Sequence, residues 1–153
     1  MLNINLVDYR GLVIPTFANL KHLELIIEDD CYRARRNLIS FLKASPYLQR
    51  LVLKLEPCME YPNCWKILKI GGAHCPHYYI KVVEIAGFWP STSVKHVMYL
   101  IKNAVALEKI VIKPLQKWYW GGNRKEREEV EARDQALQQL KGMVPSNIEF
   151  VCI

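Results

Sequence analysis

Cysteine and histidine, the residues that most often hold structural zinc, are concentrated in one segment of the chain. The members of this group are Cys58, Cys64, His74, Cys75 and His77. Their spacing, C-x5-C-x9-H-C-P-H, lacks the closely spaced CxxC pair of most structural zinc sites. Zinc binding stays open as an alternative. We predict instead no metal and no other cofactor, with Cys75 and Pro76 turning the chain toward a strand and the histidines at the surface.

The same residues raise the question of cysteine catalysis, which needs a thiolate beside a histidine and an orienting group. Cys75 has His74 and His77 as neighbours in sequence, but adjacent residues rarely reach the required geometry. The chain contains no GxSxG, HExxH, GxGxxG or P-loop pattern, and its two Gly-Gly pairs are isolated turn signals. The sequence therefore predicts neither an enzyme nor a small-molecule substrate.

An aromatic cluster, Trp118, Tyr119 and Trp120, directly follows Lys117. Aromatic rings beside bases can stack on nucleotides, so nucleic-acid binding is our second hypothesis for function. We favour the alternative interpretation that these rings anchor the loop before the last helix. Residues 1–122 carry an excess of seven positive charges, residues 123–143 sum to zero, and Glu149 brings the net charge to +6. This diffuse excess mainly favours solubility.

The elements that must position these side chains follow a repeated apolar motif. Five segments have the pattern apolar-x-x-apolar-x-apolar, starting at residues 20, 48, 80, 107 and 148, so the starts are 28, 32, 27 and 41 residues apart. The last two apolar residues of each motif lie on one face of a strand. The motifs are Leu20-Leu23-Leu25, Leu48-Leu51-Leu53, Ile80-Val83-Ile85, Leu107-Ile110-Ile112 and Ile148-Val151-Ile153.

Segments with helical periodicity lie between the motifs, near residues 33–44, 93–105 and 124–141. In the second of these, the predicted buried stripe is Val94, Val97, Met98, Ile101, Ala104 and Val105. Alternating strands and helices at this period predict an α/β fold: a leucine-rich-repeat-like solenoid, or partial horseshoe, with a parallel sheet and helices on one side. Residues 56–79 are an irregular insertion. The predicted strands are 22–26, 50–54, 82–86, 109–113 and 149–153.

The residues between the apolar anchors face away from the helices, and stacked strands place them in columns. The predicted partner-binding residues on this surface are Arg50, Lys54, Glu84, Lys109 and Lys113. Phe150 and Cys152 are predicted to lie in the same columns. An apolar centre flanked mainly by bases would suit a protein with an acidic or phosphorylated surface. The second hypothesis uses this basic face, together with Trp118–Trp120, for nucleic acid.

Several phrases of the sequence resemble the C-terminal region of plant F-box/LRR proteins, especially the large set in grasses. They are FLKASPYLQRLVLKL at 41–55, CPHYYIKVVEIAGF at 75–88, VMYLIKNAVALEKIVIKP at 97–114 and RDQALQQLKGMVPSNIEFVCI at 133–153. The last phrase is similar to the FBD domain of that family. The resemblance implies one domain, 1–153, with a truncated repeat or cap over 1–19, repeats over 20–114 and an FBD-like unit over 115–153.

The resemblance also implies a function, because such proteins recognise substrates for SCF-type ubiquitin ligases through their repeats. No segment here resembles the F-box that docks on the ligase. We therefore expect a recognition module, either a fragment of a longer protein or a short product that competes with its full-length relatives. Its first strand, near residue 22, has little chain before it, so we also expect self-association through that sheet edge.

Composition sets the expected location. Apolar residues make up 51% and charged residues 24% of the chain, as in an ordinary globular protein. No apolar run approaches the ~20 residues that span a bilayer, and the first residues lack the basic and cleavage features of a signal peptide. Five cysteines without regular spacing indicate reduced thiols. We expect a cytoplasmic or nuclear protein with no membrane contact.

Overall fold

The computed structural model describes residues 1–5, 13–28, 32–56, 75–88, 93–114 and 125–153. Strands and helices alternate along most of this sequence. In chain order the elements are β1 (Leu2–Asn5), β2 (His22–Glu28), α1 (Tyr32–Ala44), β3 (Arg50–Glu56), β4 (Val82–Phe88), α2 (Val94–Asn103), β5 (Lys109–Pro114), α3 (Lys125–Lys141) and β6 (Glu149–Cys152).

The six strands form one open sheet in the order β1-β2-β3-β4-β5-β6. Every neighbouring pair is parallel, and each strand adds to the sheet beside the strand that precedes it in sequence. A parallel connection must cross over a face of the sheet, which is where the helices run. The prediction of an α/β leucine-rich-repeat-like solenoid is therefore confirmed.

The core consists of two columns of apolar side chains that point from the sheet toward the helices. Leu23, Leu51, Val83 and Ile110 form one column, and Leu25, Leu53, Ile85 and Ile112 form the other. All eight side chains are at most 1% exposed. Helix residues close the same apolar cluster from the other side, namely Leu38, Phe41, Leu42, Val97, Leu100, Ala136 and Leu140. We refer to these two strand columns as the inward columns.

The buried face of α2 matches the predicted stripe in part, since Val97 and Ala104 are buried and Val94 and Ile101 pack, partly buried, against the core. Met98 and Val105 were expected in the core, but they are 49% and 66% exposed. The helix instead buries a stripe that contains two polar residues, His96 and Asn103, together with Leu100. Asn103 tolerates burial because its amide group is hydrogen-bonded on both sides, accepting from the Cys75 N–H and donating to the Tyr99 carbonyl.

The last strand is shifted by one residue from the predicted register. Phe150 pairs with Ile110 and Cys152 with Ile112, so these two residues continue the inward columns. Cys152 is buried, whereas Ile153 is 64% exposed. The prediction that Phe150 and Cys152 face outward is therefore wrong. The segment alternates apolar residues in both phases, and the register found here packs the largest of them, the partly buried Phe150 ring, against the core.

A bulge interrupts the regular alternation near the end of β4. Ala86 pairs with Lys113 but Phe88 pairs with Pro114, so one extra residue, Gly87, lies in β4. Gly87 has φ of +75°, and a Cβ atom built there would be 2.3 Å from the Leu55 carbonyl oxygen. Only glycine fits such a position without strain. The bulge turns Phe88 inward, where it is completely buried.

The segment that leads into β4 is anchored on the end of α2. The His77 N–H donates to the Asn103 carbonyl at 2.8 Å, and the Val105 N–H donates to the His77 carbonyl at 3.1 Å. The His77 ring is buried, with its Nε2 3.1 Å from the Tyr99 hydroxyl oxygen. Burial lowers the pKa of His77, and the positive charge of Lys43 lowers it further. The prediction of surface histidines is thus wrong for His77, and His74 lies outside the described residues.

Helix α3 contacts the sheet through a narrow seam. Ala136 and Leu140 are buried against β5 and β6, while most of the other described side chains of this helix are exposed. The helix ends at Lys141, as predicted, directly before Gly142, a residue type common just after helix ends. No helix in the described part of the chain is both long and apolar enough to cross a membrane.

Candidate protein-recognition surface

The outward residues of the sheet form three columns, which together we call the strand face. Parallel, in-register pairing stacks equivalent residues of successive strands. The first column is His22, Arg50, Val82, Lys109 and Glu149; the second is Asn3, Glu24, Val52, Glu84, Val111 and Val151; the third is Ile26, Lys54, Ala86 and Lys113. All five predicted partner-binding residues lie on this face.

Glu84 lies near the centre of the strand face and joins three strands. Its carboxylate accepts a hydrogen bond from Lys113 Nζ on β5 at 2.6 Å and one from Arg50 Nη2 on β3 at 3.3 Å. These bonds lower the pKa of Glu84, Lys113 contributing most, although partial burial opposes the shift. Only 16% of the Glu84 side chain is exposed, whereas Arg50 and Lys113 remain about half exposed. The two bases are thus held in place but accessible.

A second carboxylate plays the same part nearer β1. Glu24 on β2 forms an ion pair with Lys54 Nζ of β3 at 2.5 Å. It also accepts a hydrogen bond from Asn3 Nδ2 of β1 at 2.8 Å. The Glu24 side chain is 15% exposed and that of Lys54 is 49% exposed. Here too, a shielded acid on one strand fixes an accessible base on its neighbour.

The remaining predicted base, Lys109, pairs with Glu149 of β6 at 3.1 Å, and both side chains are well exposed. Each of the four bases on the strand face therefore has a carboxylate partner. Within the three columns, four bases face the three carboxylates Glu24, Glu84 and Glu149, and the exposed Glu56 adds a further acid at the end of β3. The face is nearly balanced in charge, and so less basic than the sequence indicated.

Short aliphatic residues occupy the middle of the strand face between these ion pairs. Val52 is almost completely buried, although it points away from the helices. Val82, Ala86 and Val111 are half-buried around it. A partner would thus contact short apolar side chains surrounded by ion-paired side chains of both charges, and we call these apolar residues the aliphatic floor. That combination is typical of protein-binding surfaces, where an apolar centre has a polar rim.

The residues considered for zinc binding or cysteine catalysis do not form a site within the described residues. Cys75 is half-buried, His77 is bonded to α2 as described above, and no group of three metal-binding side chains occurs within the described ranges. Cys58, Cys64 and the aromatic cluster Trp118–Trp120 lie outside those ranges. Sequence reasoning placed Glu84 among the partner-binding residues, but it did not predict that Glu24, Glu84 and Glu149 form ion pairs that orient the bases.

The fold and its outward face define a leucine-rich-repeat domain, a class that is typically non-enzymatic and mediates protein interactions. The comparison with protein families is specific: the model of the At1g61320/AtMIF1 LRR domain, named for a plant protein, matches residues 7–145. The chain belongs to this family. Comparisons with curated proteins and with solved structures gave no match.

Proposed function

We propose that this domain binds another protein through the strand face, using Arg50, Lys54, Glu84, Lys109 and Lys113. The observation that carries the proposal is the arrangement of the bases around an aliphatic floor, each oriented by a carboxylate of a neighbouring strand. Orientation before binding reduces the conformational entropy that long side chains lose on association.

The nature of the partner follows from the charges. A carboxylate or phosphate on the partner would bind Arg50 and Lys113 by competing with, or adding to, the bonds made by Glu84. Lys54, which is half exposed beside Glu24, offers a second such position. We therefore propose a partner with isolated acidic or phosphorylated residues beside apolar ones.

Nucleic acid fits this surface less well. Duplex and single-stranded nucleic acids require a continuous excess of bases along the phosphate backbone. The strand face has a carboxylate beside each of its four bases, so a phosphate backbone would meet an acid next to every base. This alternative makes one distinct prediction, which is a steep loss of oligonucleotide binding as salt is raised.

The resemblance to F-box/LRR proteins extends the proposal to a biological setting. In a protein that also carries an F-box, the strand face would select substrates for a ubiquitin ligase. Expressed alone, the same domain would occupy those substrates and act as a competitor. Both activities belong to the cytoplasm or nucleus, and a fluorescent fusion would test that location.

The experiment is affinity capture with two matched variants. The strand-face variant carries Arg50→Gln, Lys54→Gln, Lys109→Gln and Lys113→Gln. The control variant removes one arginine and three lysines that are exposed on the helices, through Arg36→Gln, Lys43→Gln, Lys102→Gln and Lys141→Gln. We expect particular proteins to be captured by the wild type and the control but lost from the strand-face variant. Equal capture by all three folded chains would refute the proposal.

We also propose that the isolated domain self-associates through β1, which pairs with β2 on one side and forms an edge of the described sheet. An edge strand presents unpaired backbone donors and acceptors that can pair with another chain. Sedimentation velocity at increasing protein concentration should show a growing oligomer. A concentration-independent monomer would rule out this route.

A further inference from the structure

The ion pairs of the strand face differ in how many bases share each carboxylate. Two of the carboxylates have one base each, in the pairs Lys54–Glu24 and Lys109–Glu149. Glu84 is instead shared by two bases, Arg50 and Lys113. We call Arg50, Glu84 and Lys113 the central triad. In the described part of the strand face, the excess positive charge therefore lies at the central triad.

The two bases of the central triad reach Glu84 from opposite sides. Arg50 extends from β3 to Oε2 of the carboxylate, whereas Lys113 extends from β5 to Oε1. Arginine has five N–H donors and lysine three, and each base gives one of them to Glu84. Since the two nitrogens bond the two oxygens of one carboxylate, a second carboxylate has the right width to bridge them from the solvent side.

The aliphatic floor surrounds Glu84 within the sheet. Val52 on β3 and Val111 on β5 are its lateral partners, and Val82 and Ala86 lie two residues before and after it on β4. An acid of the partner placed over the central triad would thus have apolar surface on every side of it. Aliphatic neighbours of that acid would contact the floor and displace water from the ion pairs, which strengthens the interactions between the charges.

The charge of the central triad distinguishes a carboxylate from a phosphate. Lys113, more than Arg50, lowers the pKa of Glu84, which is therefore ionised at neutral pH. Two bases and one acid leave a single net positive charge, which one carboxylate neutralises and a phosphate dianion exceeds. The dianion would also lie against the ionised Glu84, and like charges in contact repel.

Desolvation acts in the same direction as this repulsion. The cost of taking an anion out of water rises with the square of its charge, while its attraction to fixed charges rises only in proportion. Glu84 halves the net charge that the two bases would otherwise offer. The attraction that remains therefore offsets the desolvation of a singly charged group better than that of a dianion.

We propose that the central triad anchors one aspartate or glutamate of the partner, flanked by aliphatic residues, and that Glu84 selects this carboxylate over a phosphorylated side chain. This inference rests on the proposed use of the strand face and narrows the partner at its centre. Glu84 is then a specificity-determining residue. Lys54 and Lys109, each balanced by its own acid, add contacts around this anchor.

The test is an NMR titration of the intact chain with three tripeptides that are capped at both ends. Their sequences are Val-Glu-Val, Val-phosphoserine-Val and Val-Gln-Val, and the Nε–H signal of Arg50 reports binding. The titration is made at constant ionic strength and about pH 7.5, where phosphoserine is mainly a dianion. We expect wild type to bind the glutamate peptide about threefold more tightly than the phosphoserine peptide and about tenfold more tightly than the glutamine peptide.

Glu84→Gln tests the selection directly. Without this carboxylate the two bases present two net positive charges, so both anionic peptides should bind more tightly. The phosphoserine peptide should gain more, because its attraction to the added net charge is twice as large. The order of the two peptides should therefore reverse. Glu108→Gln is the matched control, since Glu108 is an exposed carboxylate that pairs with Lys81 outside the strand face. This control should keep the wild-type order.

The bases are tested in the same way. Arg50→Gln and Lys113→Gln should each weaken the glutamate peptide by about threefold to tenfold, whereas Lys81→Gln should leave it unchanged. Circular dichroism and melting curves establish that each variant is folded. Three results would overturn the proposal: no saturable shift up to about 20 mM peptide, tighter binding of phosphoserine by wild type, or equal effects of Glu84→Gln and Glu108→Gln.

These results are distinct from a failure of the proposed function. If wild type prefers phosphoserine and loses it in Arg50→Gln, the strand face still binds anions and only the selection by Glu84 is wrong. Equal protein capture by the wild type, the strand-face variant and the control variant would refute the proposed function itself, whichever tripeptide binds.

Discussion

The inward columns and the strand face belong to the same strands, yet they differ in the variety of their residues. Facing the helices, β2 to β5 present only leucine, isoleucine and valine in the two columns, all essentially inaccessible to solvent. Facing outward, the same strands present bases, acids and small aliphatic residues. The difference shows that one face specifies the fold and that the other can change its chemistry without altering how the repeats stack.

The largest effect that this comparison predicts is on the inward side of β5. Ile110→Ala removes a buried side chain and leaves a cavity, so the free energy of unfolding should fall by ~2–5 kcal/mol. Val111→Ala, one residue away on the strand face, should lower it by less than about 1 kcal/mol, because Val111 is only half-buried. Leu51→Ala on β3 should behave like Ile110→Ala. Urea denaturation measures all three, and equal losses at Ile110 and Val111 would contradict the assignment of faces.

At the Gly87 bulge, the alternation of inward and outward residues along β4 shifts by one residue. Gly87→Ala places a methyl group against the Leu55 carbonyl and forces alanine to a positive φ. We expect a loss of about 1–3 kcal/mol from the backbone conformation, with a further loss as β3 and β4 move apart. Ala86→Ser, at the adjacent outward position, is the control. If Gly87→Ala melts at the wild-type temperature, the bulge does not hold Phe88 inward.

A smaller effect should follow from removing the central carboxylate of the strand face. Glu84→Gln leaves Arg50 and Lys113 without their acid, and stability at neutral pH should fall by about 1 kcal/mol. Since the pKa of Glu84 is lowered from 4.5 in the folded chain, its contribution is present above that pH and is lost as pH falls through the lowered value. Urea midpoints of wild type and variant should therefore converge in acid. A constant difference across this range would show that the ion pairs are not its cause.

The smallest effect at neutral pH concerns His77, one of the buried polar residues on the helix side. Because burial lowers its pKa from 6.5, the folded state binds a proton less readily than the unfolded chain does. Stability should be unaffected above about pH 7 and should decline as pH falls below 6.5. NMR titration of the ring protons follows His77 directly, and His22→Gln provides a comparison at a residue on the other face. A ring that titrates above 6.5 would mean that His77 is not buried in solution.

The inward residues of a strand could be predicted from sequence only where its apolar pattern was compatible with a single register. For β2 to β5, apolar anchors alternate with polar or small residues, so the strands and their inward residues followed from spacing. In β6 the run Ile148–Ile153 alternates acceptably in both phases, and only pairing with β5 selects Phe150 and Cys152. The ion pairs of Glu24 and Glu84 also need the inter-strand register, which no single repeat contains.

In the predicted stripe of α2 the sequence pattern was misleading at two of six positions, Met98 and Val105, for a different reason. Periodicity identifies a buried face by its apolar residues, but here His96 and Asn103 occupy that face. Asn103 is satisfied there by bonds to Cys75 and Tyr99, which come from a distant segment and from the preceding helical turn. Met98 and Val105 were assigned to the core because they are apolar. Buried polar groups with specific partners are therefore the main source of error in this helix.

The anchoring of His77 to Asn103 and Val105 also affects where the domain tolerates insertions. The chain leaves β3 at Glu56 and is held again at residues 75–77, so both ends of the intervening stretch are fixed by contacts that do not involve the stretch itself. The entropy of closing a loop between fixed points rises slowly, by only about 0.6 kcal/mol for each doubling of its length. This junction is accordingly a place where insertions of widely different length can be grafted while the repeats on either side keep their register.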